Sequence, residues 1–190
     1  MNRLQELVFH GLAGFAVGAG IAAATAAPAL ALAPSPRTMT STQAIGVLTE
    51  VVEATGTDVQ AIHCKRGNVY GFYQYAVNES TGVVTDRVVL CTNGPIDWNN
   101  ARSVLETLQH EAVHVAQACQ GGPLFNKQWH FEALEAMPRE DIESLGLYEV
   151  ADLPYEIEAF LFENMPAELV IQLVLQSCER QIDARVRSLT

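Results

Sequence analysis

The run from Ala101 to Cys119 reads as one long helix, closed by Gly121-Gly122-Pro123, and every other part of the chain has to be arranged around it. Val104, Leu105, Leu108, Ala112, Val115 and Ala116 recur at helical spacing and give it a broad apolar face. Asp97 or Asn99 can cap its start. Its middle carries His110-Glu111-Ala112-Val113-His114. Residues four apart lie one above the other on a helix, so both imidazoles can reach a single ion. Zinc accepts neutral imidazole nitrogen and takes four ligands in a tetrahedron. Glu111 sits about 100° further round the helix and cannot easily join that ligand set. It can take a proton from a water activated by the metal, the role of general base in hydrolysis.

The flanking segments predict one α+β domain over residues 41–190. Ser41 looks like a cap for a helix that ends at Gly56, with Ile45, Leu48, Val51 and Val52 at helical spacing. Val59–Cys64, Val69–Val77 and Val83–Cys91 read as three strands separated by turn residues, consistent with a small antiparallel meander. Leu124–Asp152 is less regular, with aromatic residues early and acidic ones later. Pro154 opens a helix running to Asn164, and Pro166 opens another that continues towards the C-terminus with Leu169, Leu173, Val174 and Ile182 inward. The expected architecture is a small antiparallel sheet, an active-site helix and C-terminal helices.

A hydrolytic zinc site needs a third protein ligand and one open position. Positions 117 and 120 are both Gln, which excludes the HExxHxxGxxH pattern of metzincins. Further on, Glu156-Ile157-Glu158-Ala159 contains an ExxA sequence on the predicted helix. HEAVH followed by such a helix, with a sheet before both, resembles the gluzincin-like zincin metallopeptidases, although it does not single out one family among them. The ExxA form is similar to that of the integral-membrane CAAX proteases, in which an Asp follows; here Phe160 stands in its place, and Glu163 is the candidate for the missing orienting carboxylate. The resemblance implies a zinc ion held by His110, His114 and Glu156, with Glu111 as catalytic base and a peptide or protein as substrate. It also implies that a strand at the sheet edge receives extended peptide; Val83–Cys91 could be that strand, though the sequence does not show which strand is the edge. Helix geometry alone does not choose between Glu156 and Glu158. They point about 200° apart, so only one can face the metal, and the other is expected to be a solvated surface residue. His130 reads as an ordinary partly buried histidine, with oxyanion donor or ligand as the rarer alternatives, and Tyr148 and Tyr155 as packing residues that could donate to an oxyanion. His63 reads as structural.

The N-terminus differs in kind. No charge occurs from Gly11 to Ala33, and Ala31-Leu32-Ala33 precedes Pro34-Ser35-Pro36. Residues 1–33 therefore read as a signal peptide or a membrane anchor, and 34–40 as a linker, in an exported protein. Contact with a membrane is expected only through that segment, if it is retained. Four cysteines permit two disulfides. Proximity along the predicted elements would join Cys64 to Cys91 and Cys119 to Cys178. A net charge of -11 disfavours nucleic acid. Oligomeric state is not legible. Two rival readings are a catalytically silent zinc-binding protein of the same fold and an exported interaction domain whose HExxH arose by chance.

Overall fold

The computed structural model describes residues 39–188. The expected signal peptide or anchor, and the linker as far as residue 38, lie outside the described residues. The first helix, α1 (Ser41–Thr55), is capped by Thr40, one residue earlier than expected: Thr40 Oγ1 accepts from Gln43 N while Gln43 Oε1 accepts from Thr40 N. It ends at Gly56, whose φ of 107° suits a residue without a side chain.

Strands β1 (Asp58–Ile62), β2 (Gly71–Val77) and β3 (Val84–Cys91) follow. The class is α+β, as expected, but the sheet is mixed, with order β1-β3-β2. β3 lies in the middle, antiparallel to β2 and parallel to β1. The reason is the link from β1 to β2. Instead of turning back beside β1, residues 63–70 arch over the end of β3. The Cys64–Cys91 disulfide ties the arch to β3, and Asn93 brackets it by accepting from Cys64 N and donating to Cys64 O. Val83–Cys91 is thus central and not the edge; β1 and β2 are the edges. Val88 and Leu90 face the main core, while Val89 and Cys91 face a small cluster with Cys64.

Helix α2 (Ala101–Gln120) carries the histidines. Its cap is Asn100, which accepts from Arg102 N, and not Asp97 or Asn99. Gly121, at φ 76°, ends it. Eleven of its residues are buried, because α1, the sheet and two later helices all pack on it. The segment read as irregular contains α3 (Lys127–Ala136) and α4 (Arg139–Leu145). Each buries too few residues to print a periodicity: three in α3 and Leu145 alone in α4. Then come α5 (Leu153–Glu163), α6 (Ala167–Ser177) and α7 (Glu179–Ser188). The final helical run is broken at Cys178, which is bonded to Cys119 at the end of α2. Both disulfides pair as proximity predicted, and they fit an oxidising, exported location. Among the described residues no helix is long and apolar enough to cross a membrane.

Candidate metal centre

Two helices build the centre. α2 and α5 pack together, with Ala112 and Ala116 on one and Ala159 on the other fully buried. Two buried glutamines of α2 fix their register. Gln109 Nε2 donates to the carbonyls of Phe162, Glu163 and Met165, at 3.0, 3.2 and 2.9 Å, satisfying the C-terminal end of α5. Gln117 Nε2 donates to Tyr155 O, at 2.9 Å, near its start. With both ends held, Glu156 is presented to the histidine face of α2.

His110 Nε2 lies 3.3 Å from Glu156 Oε2, and His114 Nε2 lies 3.6 Å from Glu156 Oε1. One ligand atom from each of these three residues falls within 4.8 Å of the others, so the group could hold a metal ion. The outer nitrogens are engaged. His110 Nδ1 meets Glu163 Oε2 at 2.9 Å, and His114 Nδ1 meets Gln117 Oε1 at 2.7 Å. Donation from Nδ1 leaves a lone pair on each Nε2, the form a metal requires. Glu163 therefore supplies the orienting carboxylate, while Phe160 packs edge-on against the His110 ring with centroids 4.9 Å apart. Glu156 Oε2 is buried without a hydrogen-bond partner, and a cation would satisfy it.

The electrostatics of the metal-free chain agree with this fit. Burial pulls the His110 pKa down, but the neighbouring carboxylates of Glu156, Glu163 and Glu111 outweigh it and carry the pKa up to about 10. A proton then stands where a cation would. Burial, with the nearby His110, pushes His114 below its ordinary value. Glu111 is 5% exposed, and burial is the chief cause that lifts its pKa to about 7. The backbone N–H of Tyr73 in β2 lies near it and opposes that rise. β2 can come this close because residue 71 is glycine: a Cβ there would lie 2.7 Å from Val89 O and 3.1 Å from Glu111 Oε1. A cleft of about 450 Å³ opens between β2 and α5, lined by His110, Glu111, His114 and Glu156 together with Gly71–Tyr73, Tyr148 and Tyr155. A second cavity of about 470 Å³ meets it at Gly71, His110, Glu111 and Tyr148. Tyr148 lies beside Glu156, and burial and that carboxylate raise the pKa of its hydroxyl.

Glu158, the rival ligand, points away from the centre but is not solvated. It is fully buried, and its carboxylate accepts from the backbone N–H groups of Leu124 and Phe125. His130 Nε2 lies 2.8 Å from Glu158 Oε1, so His130 is a buried structural residue and not a ligand. His63 is exposed. Gln109, Gln117 and the place of Glu158 escaped the sequence reading. The available signal was two glutamines eight residues apart on an otherwise apolar helix face.

Fold and centre together define an α+β domain with a His-His-Glu group able to hold a metal ion. Residues 39–179 match the family described as a domain of unknown function, DUF8637, and the chain belongs to that family. Neither a curated protein nor a solved structure matches it.

Proposed function

We propose that the chain is a zinc-dependent peptidase of the zincin type, with His110, His114 and Glu156 as ligands and Glu111 as general base. The observation that carries this reading is the convergence of two Nε2 atoms and a partnerless buried carboxylate oxygen, with each outer imidazole nitrogen already held. Mixed nitrogen and oxygen donors on buried helices suit zinc. When bound, zinc would acidify water and polarise a substrate carbonyl. Glu111 opens onto both cavities. In the proposed reaction its carboxylate takes the proton of the attacking water and passes it to the leaving amine. Tyr148, beside Glu156 at the junction of the cavities, is the candidate donor to a developing oxyanion. The outer edge of β2 borders the cleft, which supports binding of extended peptide by strand addition.

Zinc content and hydrolysis of a peptide library test the reading together. The expected result is about one zinc per chain and measurable cleavage. Glu111→Gln should keep the zinc and lose the cleavage. A folded parent that takes up no zinc on reconstitution would overturn the proposal. Zinc without cleavage of any peptide would remove the peptidase and leave the metal site.

A further inference from the structure

Glu158 has more partners than a carboxylate needs in order to be tolerated inside a protein. Its Oε2 accepts from Leu124 N at 2.9 Å and from Gln117 Nε2 at 2.8 Å. Its Oε1 accepts from Phe125 N at 2.9 Å and meets His130 Nε2 at 2.8 Å. The backbone groups can only donate, so Glu158 has to present acceptors on both oxygens. That demand propagates. Gln117 faces two acceptors, Glu158 Oε2 and Tyr155 O, and its NH2 group must be turned towards them. Its carbonyl oxygen is then left facing His114 Nδ1 at 2.7 Å. An oxygen there accepts only, so His114 carries its proton on Nδ1 and keeps the Nε2 lone pair free for the centre.

We propose that Glu158 is a positioning residue: acting through the Gln117 amide, it sets the tautomer and orientation of His114. The proposal builds on the metal-site reading, but the relay itself exists without the ion. The same carboxylate holds Leu124 and Phe125 just after Gly121 and Gly122, which line the cleft. One buried group thus ties a ligand on α2, the ligand helix α5 and the cleft wall to each other. Substitution by glutamine would bring an NH2 group against donors at either oxygen position, and the Gln117 amide would lose its bias.

Two variants and two readouts test this. Gln117→Met removes the relay and leaves the other donors of Glu158 in place; Glu158→Gln removes its direction. In the metal-free chain, 15N chemical shifts of His114 should report the Nδ1–H form in the parent and a mixture of tautomers in both variants. With cobalt as the probe ion, both should bind about 10- to 100-fold more weakly, the range typical for loss of an outer-sphere partner, with an altered visible spectrum. Circular dichroism checks that each variant is folded. Parent-like tautomer and cobalt affinity in folded Gln117→Met would overturn the proposal. A parent that binds no metal would sink the proposed function, and the tautomer measurement would then decide the relay alone.

Discussion

The cleft has two walls made in opposite ways. One is the α2–α5 pair, where Glu111 and Gln117 are buried and where glutamines lock one helix to the other. The other is β2, an edge strand that is half-buried as far as Gln74 and exposed from Tyr75 to Val77. The difference separates two demands. Ligands and a base must be held within a narrow geometry, which needs satisfied, immobile surroundings. Peptide recognition needs an accessible edge with adaptable side chains. The proposed chemistry therefore belongs to the helical wall and the proposed specificity to the strand.

Substitutions should separate the walls. The largest effect is expected from the helical one: His114→Ala should take zinc from about one per chain to almost none by elemental analysis, since a ligand is removed from a three-residue set. Glu111→Gln should follow, lowering the peptide cleavage rate by about 10² to 10⁴-fold with zinc retained. The pH dependence of zinc binding comes next. His110 in the metal-free chain has its pKa raised to about 10, so near pH 7 zinc must displace a proton. Apparent affinity should rise by about tenfold per pH unit above 7 and flatten near the pKa of His110, with proton release visible by calorimetry in buffers of different ionisation heat. A flat profile would mean that His110 is already neutral.

On the strand wall, Gly71→Val should lower urea stability by about 1–3 kcal/mol and also reduce cleavage, because the added atoms meet Val89 O and Glu111. The smallest effects belong to the hairpin tip. Tyr75→Thr and Val84→Thr, at positions 60% and 54% exposed, should change stability by no more than about 0.5 kcal/mol. If β2 receives peptide, Tyr75→Thr should raise KM and leave kcat unchanged. A large stability loss at the tip would erase the distinction between the walls.

What could be read from the sequence was whatever one element encodes by itself. HEAVH is legible because five consecutive residues on one helix fix which side chains share a face. The choice of Glu156 over Glu158 was not local. It depends on the angle at which α5 meets α2, which Gln109 and Gln117 set from outside that helix. The burial of Glu158 was harder still, since its partners come from α2, the following loop and α3. Strand positions were recognisable from β-branched and aromatic residues, but the order β1-β3-β2 was not. It is decided by an arch whose course depends on Cys64 and Asn93 meeting the end of β3. Helices α3 and α4 bury too little of their surface to write a period into the sequence.

The Cys119–Cys178 bond has a practical consequence. It closes a loop of 59 residues that contains the whole stretch between helices α2 and α5. A proteolytic nick anywhere from residue 123 to 150 would not release a fragment. Both pieces would stay covalently joined, with His110, His114 and Glu156 still attached to them. A nicked sample would run as one species on a non-reducing gel and as two only after reduction. Activity surviving in such a sample would be evidence of this tether and not of an uncut chain.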